Sequence, residues 1–365
     1  DRKAPDIAGA VSHLGYVQID PTNVCGRMHD LILRVRVESY REGDLMRHVH
    51  GDGALPAEAR VAFEHHLPST EILVAFALDA WPHLLAFMRR RSGEASWWSG
   101  RLSKAERELS VRLLDEIGRR GPLSSEDIGD RRAGRTYWGR GTMAKVTLQK
   151  LYSHGRLLIA GRSQGRRKYD LPERVLPARV LAMPEAAPEE TTRWLAVTAL
   201  RQRRLVLLKR AELAAVEDLV QPVQVPGAPL LHCLRTDLPE LEAATANPID
   251  PGPVPAKRSD PGPVPAKRSE AGSLLAPLDP LIYDRKVTRA VWDFDYVWEA
   301  YMPAAKRQRG HFAMPLLCGL EIAGHVDPKA DRAAGRLGVV SRRVRRGFRA
   351  GPAVKELASF LGLRA

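Results

Sequence analysis

The chain has 365 residues, 44% of them hydrophobic, enough to bury cores in two or three globular domains. Its 57 Lys and Arg against 43 Asp and Glu leave a net charge of +14, so a polyanion is the expected partner, and arginine grips phosphate through paired hydrogen bonds. No apolar run of about eighteen residues and no leader-like segment stands out, which sets the expectation of a cytoplasmic protein with no membrane partner. Three scattered cysteines, Cys25, Cys233 and Cys318, form no C-x-x-C pair and argue against a disulfide framework or a zinc knuckle.

Residues 5–14 read as a helix that enters the stretch GYVQID, residues 15–20. In an extended chain Gln18 and Asp20 point the same way while Ile19 packs behind them, a spacing suited to two groups holding one water. The alternative is a helix exit in which Asp20, before Pro21, serves as a turn residue or N-cap. Residues 1–100 are read as a first winged-helix module, expected to be N-terminally truncated. His48-x-His50 and His65-His66 lie within it without a carboxylate or Cys cluster at ligand spacing, so no metal and no cofactor is expected.

The segment 101–180 is the most organised. Ser103 and Glu106 form a capping box before Leu109, Leu113, Leu114 and Ile117 at helical spacing, and Gly121-Pro122 ends that helix. A short helix is expected over Ser124–Ile128, then a loop with Tyr137, Trp138 and Gly139. A third helix is expected from about Thr142 to Ser153, burying Ala144, Leu148, Leu151 and Tyr152 with Lys145, Gln149 and Lys150 outward. Two strands around a Ser163-Gln164-Gly165 turn follow, carrying Arg162, Arg166, Arg167 and Lys168 at a basic tip. Helix, short helix, basic helix and hairpin describe a winged helix-turn-helix. The same fold used for protein contacts is the plainer alternative.

Residues 190–246 hold two more helices, broken near 203–207, as a third winged-helix-like module. At 250–259 and again at 260–269 the chain reads DPGPVPAKRS; its prolines exclude a packed helix or strand, so 247–273 is expected to be an extended linker. Residues 274–365 alternate apolar and polar positions around Pro and Gly, the pattern of a small antiparallel sheet or barrel, ending in SRRVRRGFR, either a phosphate grip or a solvated charged face. The fold class is therefore α+β: tandem winged helix-turn-helix modules followed by a C-terminal small antiparallel β-barrel or sheet domain.

Several stretches together resemble the AlkZ/YcaQ family of winged-helix DNA glycosylases. QIDPTNVCGRMHDLILRVR is similar to the family's catalytic segment at Gln18, Asp20, Asn23, Arg27 and Arg36. APLDPLIYDRK, WDFDYVWEAYMPAAKRQRGHFAMPLL and GHVDPKADR resemble its C-terminal pattern through Asp279, Asp284, Arg285, Glu299, Tyr301, Lys306, Arg307 and Gly310, among others. The motif takes the Gln-x-Asp form of the YcaQ-like branch. Three positions depart from that pattern: Gly51 stands where an acid follows His50, Leu278 replaces a usual Phe and His325 a usual Arg.

The resemblance implies a monofunctional glycosylase that hydrolyses the bond to N7-alkylated purines and unhooks interstrand crosslinks, with Asp20 activating water and Gln18 orienting it. Asn23 and His50 would line the active site. Arg27, Arg36, Lys145, Arg162, Arg166, Arg167, Lys168, Arg285, Lys306 and Arg307 would contact DNA. Lys286 and Lys306 read as phosphate contacts or exposed cations rather than Schiff-base nucleophiles. The expected partner is duplex DNA carrying alkylated or crosslinked bases, met by a monomer at the bacterial nucleoid. The competing reading is a non-catalytic winged-helix regulator.

Overall fold

The computed structural model describes residues 3–53, 55–129, 133–136, 139–163, 165–246 and 272–365. The chain opens with α1 (Ile7–Leu14), β1 (Tyr16–Gln18), α2 (Met28–Leu33), α3 (Asp44–His50), β2 (Ala62–His66), β3 (Leu73–Ala77) and α4 (Trp81–Gly93). It continues through α5 (Lys104–Arg120), β4 (Ala133–Thr136), β5 (Gly139–Thr142), α6 (Met143–Ser153), β6 (Leu158–Ser163), β7 (Arg166–Asp170), α7 (Pro172–Val175) and α8 (Ala178–Leu181). The remainder comprises α9 (Pro188–Arg203), α10 (Arg210–Val216), β8 (Val220–Val223), β9 (Leu231–Leu234), α11 (Leu238–Ala246), β10 (Ser273–Leu274), α12 (Arg285–Trp292), β11 (Met314–Cys318), β12 (Glu321–Asp331), β13 (Arg336–Val344) and α13 (Gly351–Phe360). Among the described residues no helix is long and apolar enough to cross a membrane.

Two compact units share these elements. One is built from residues 4–20 and 43–194, the other from the described residues of 21–42 and 195–365 together with Lys3. They cut across the serial blocks expected from sequence, because the chain leaves the first unit at Asp20 and re-enters it at Gly43.

In the first unit, β1, β3 and β2 form an antiparallel sheet in that order, and α1 packs on β3. Further on, the expected capping box is present: the Ser103 amide donates to Glu106 Oε2 at 2.7 Å and the Glu106 amide to Ser103 Oγ at 3.3 Å. Leu109, Leu113 and Ile117 of α5 then bury against Ala144, Leu148, Leu151 and Tyr152 of α6, with Ile159 and Tyr169 of the β6–β7 hairpin closing the cluster. Ser103→Ala, which removes one half of the cap, is expected to lower stability by about 1 kcal/mol in thermal or denaturant unfolding.

Three expectations in this region are corrected. Ser124–Ile128 is a turn, because the Asp127 carboxylate takes both the amide and the hydroxyl of Ser124, a local bond that competes with helix in so short a stretch. Where a loop was expected around Gly139, β4 and β5 pair antiparallel, Thr136 facing Gly139; Tyr137 and Trp138 lie outside the described residues. Lys150 does not face outward. It is 4% exposed, donating to Glu106 Oε2 at 2.8 Å and to the Arg101 carbonyl at 3.2 Å.

The second unit has its main core where α2 (Met28, Leu31, Ile32) meets Phe312, Met314 and Leu316 around β11, Ala323 and Val326 of β12, and Ala353 and Leu357 of α13. β10, β11, β12 and β13 form one antiparallel sheet in that order. The expected sheet is thus present, with β10 and β13 as its edges among the described residues. Part of the basic tail is strand: Ser341 to Val344 belong to β13, and α13, for which no helix was expected, follows. A smaller core joins Ala196 and Leu200 of α9 to Val206, Leu208, Val216 and Val220. The duplicated proline-rich segment at 247–271 and Gln164 of the expected turn lie outside the described residues.

Candidate active site

The Gln18 and Asp20 pair is set up by what precedes it. Asp6 caps α1 by accepting the Gly9 amide at 2.7 Å, and Gly15, with φ 73°, a conformation that favours glycine, turns the chain into β1. Tyr16, Val17 and Gln18 pair with Phe76, Ala75 and Val74 of β3, and the Ile19 amide donates to the Leu73 carbonyl at 2.9 Å, so the chain stays extended one residue past the strand. Val17 and Ile19 are buried, which holds the strand from behind. Gln18 is half-buried, and among the described residues its carboxamide has no hydrogen-bonding partner. Asp20 is 8% exposed. The half-buried Gln18 carboxamide and the nearly buried Asp20 carboxylate thus lie two positions apart at the end of β1.

His50 is placed differently. The register across the sheet puts Val17, Ala75 and Glu64 in one row and Gln18, Val74 and His65 in the next, so alternation sends the Gln18 and Glu64 side chains to opposite faces. His50, at the end of α3, goes with Glu64: its Nε2 lies 2.5 Å from Glu64 Oε1. Arg162 of β6 closes on the same carboxylate, with Nε 2.7 Å from Oε1 and Nη2 2.5 Å from Oε2. Burial pushes the Glu64 carboxyl up, but the hydrogen bonds from Arg162 and His50 more than offset it and hold the group below the usual carboxylate range. An ionised carboxylate only accepts, so the His50 proton sits on Nε2 and Nδ1 faces Arg60 Nη1 at 3.4 Å. Arg60 donates to the Val49 carbonyl at 2.5 Å and to the Ala160 carbonyl at 2.9 Å, and burial lowers it to about 10.

The acid beside His50 is therefore Glu64 of β2, not its chain neighbour, Gly51. Nothing in the sequence flagged Glu64, because its partners are 14 and 98 residues away. His65 and His66 join a buried aromatic cluster: the rings lie 4.8 and 5.1 Å from that of Tyr152, and burial lowers His65 to about 4. Among the described residues no group of three or more His, Cys, Asp and Glu is arranged to hold a metal ion.

The wing residues divide. Arg162 turns inward onto Glu64, and Arg167 donates to Gln149 Oε1 at 2.8 Å with its guanidinium 5.7 Å from the Tyr152 ring centroid. Arg166 is exposed and pairs with Glu126, Lys168 is half-buried, and Lys145 is exposed on α6.

In the other unit, the exposed Asn23 accepts the Gly26 amide through its side chain, and the half-buried Arg27 begins α2. Arg36 is committed to Asp279: two parallel hydrogen bonds of 2.7 Å join its Nη atoms to the fully buried carboxylate. Arg285 and Lys306 are exposed and Arg307 half-buried. Leu278 packs against the main core, and His325, in β12 between Pro315 and Arg343, is lowered first by burial and then by Arg309 and Arg343.

A family model described as DNA glycosylase AlkZ-like matches residues 11–360. Among solved structures, the DNA glycosylase AlkZ of Streptomyces sahachiroi resembles this fold with a TM-score of 0.57 at 16% identity, covering 100% of this chain and 93% of that one.

Proposed function

The chain belongs to the AlkZ-like DNA glycosylase family, and from that premise we propose that it hydrolyses the N-glycosidic bond of N7-alkylated purines in duplex DNA and also unhooks interstrand crosslinks. An N7-alkylated purine is already cationic. It departs with the electron pair of the glycosidic bond as a neutral base, so no acid is needed to protonate it. As the bond stretches, the deoxyribose becomes an oxocarbenium ion. The Asp20 carboxylate stabilises that cation and takes a proton from the water that adds to the sugar carbon. The Gln18 carboxamide donates and accepts at once, which suits it to orient that water.

The observation that carries this reading is the half-buried, uncommitted Gln18 carboxamide two residues from a nearly buried carboxylate at the end of β1. The exposed cations Lys145, Arg166, Arg285 and Lys306, with half-buried Arg27, Lys168 and Arg307, supply phosphate contacts in this reading. With no lysine assigned to attack the sugar, the product is an intact strand bearing an abasic site.

Purified protein incubated with N7-methylguanine duplex is expected to release free base, read by chromatography. A nitrogen-mustard-crosslinked duplex is expected to resolve into single strands on a denaturing gel, uncut until treated with alkali. Tight binding to both duplexes without base release would overturn the catalytic reading.

A further inference from the structure

The stretch AAKRQRGHF, residues 304–312, looks like a solvated basic loop, yet much of its backbone is hydrogen-bonded from inside the fold. Glu299, buried in the second unit, accepts the amides of Gln308 and Arg309 at 2.8 Å and of Gly310 at 3.3 Å, all on Oε2. Asp327 of β12 takes the next two, the His311 amide at 3.0 Å and the Phe312 amide at 2.8 Å. Five successive N–H groups thus end on two internal carboxylates. Burial raises the Glu299 carboxyl, but the amides of Arg309, Gly310 and Gln308 overcome it and keep the group below its ordinary value. Gly310 has φ 131°, and a Cβ there would collide with the Asp327 carboxylate, so glycine is needed to let the chain lie so close.

The side chains sort accordingly. Arg309 folds back, donating to the Asp295 carbonyl at 2.7 Å and reaching Glu299 Oε1 at 3.4 Å. Arg307 anchors Nε to the Met302 carbonyl at 2.9 Å, which leaves its two Nη groups as a fork. Lys306 is exposed. Nearby on β13, Ser341 donates to the Arg309 carbonyl at 3.1 Å and is followed by exposed Arg342 and Arg343. Among the described residues none of Lys306, Arg342 and Arg343 has a carboxylate partner.

We infer that the loop 304–311 is a pre-formed contact for the phosphodiester backbone of DNA, in which Lys306 and Arg307 touch phosphate oxygens and Glu299 and Asp327 are positioning residues that fix the loop through the amides of residues 308–312. The inference rests on the chain's being a DNA glycosylase. A loop whose amides are satisfied from inside loses little backbone freedom on binding, so only the side chains have to order when the cations meet their phosphates. Water would satisfy the same amides on a loop with no such task.

The test is fluorescence anisotropy with a short undamaged duplex across a range of salt, a readout independent of base release. Lys306→Ala, an exposed position that leaves folding untouched, is expected to weaken binding about three- to tenfold at low salt. It also makes the slope of log affinity against log salt shallower by about 0.9, one phosphate contact. Glu299→Ala is expected to weaken binding similarly, and in its background Lys306→Ala adds little, because the loop that carries the lysine is no longer fixed. Should that variant not fold, Glu299→Gln keeps an acceptor for the amides and preserves the Lys306→Ala effect. An unchanged salt slope in Lys306→Ala, or fully additive losses in the double variant, would overturn the inference. Failure of base release with these binding results intact would instead sink the catalytic reading alone.

Discussion

Asp20→Asn is expected to slow base release by roughly 10²- to 10⁴-fold while leaving affinity for alkylated duplex within about twofold. The substitution preserves shape at a position that is 8% exposed, so packing changes little. On the proposed mechanism it removes the carboxylate that stabilises the developing cation and takes the proton of water. Both roles are needed in the transition state and neither in the ground state, so the loss falls on the chemical step. Single-turnover kinetics with N7-methylguanine duplex, beside anisotropy on the same duplex, separates the two quantities. A variant that releases base at the parental rate would show that Asp20 is a turn residue before Pro21, as the plainer reading of the sequence allows.

The largest effect on stability is expected at Glu64. Its carboxylate is completely buried and holds Arg162 through two hydrogen bonds and His50 through a third. Glu64→Ala leaves a largely buried guanidinium without a counter-charge, which destabilises by about 3–5 kcal/mol. Its ionised form is favoured in the folded state, so the folded pKa lies below the ordinary value of 4.5. The stabilisation is therefore fully present above about pH 4.5 and is lost as pH falls from there through the folded value. Thermal melts from neutral pH downward are expected to show the parent losing stability below pH 4.5 and Glu64→Gln lacking that component. Equal slopes in the two proteins would show that the cluster contributes nothing through ionisation.

How much of this was legible in the sequence followed the range of the interactions. The Ser103 cap, helix α6 and the hairpin carrying Arg162 are decided by bonds a few residues long, and all three elements stand where residue spacing put them. Lys150 was misjudged because helical spacing describes one helix at a time. Its partner is the capping-box Glu106, 44 residues earlier, and a buried pair of opposite charges has no apolar signature. The same limit hid Glu64 behind the conspicuous Gly51 departure and hid the pairing of Arg36 with Asp279, 243 residues apart. The Gln-x-Asp spacing could be read directly because its geometry is that of the extended chain itself; the fate of the distant arginines could not.

Cys25 and Met314 touch in the core of the second unit although 289 residues separate them. At roughly 5–20 residues per second of synthesis, the apolar face of α2 waits on the order of 15–60 s for the strands that cover it. Through that interval Met28, Leu31 and Ile32 are a sticky hydrophobic segment of the nascent polypeptide. That exposure comes from the order in which the pieces of the chain are made and not from how stable the finished molecule is.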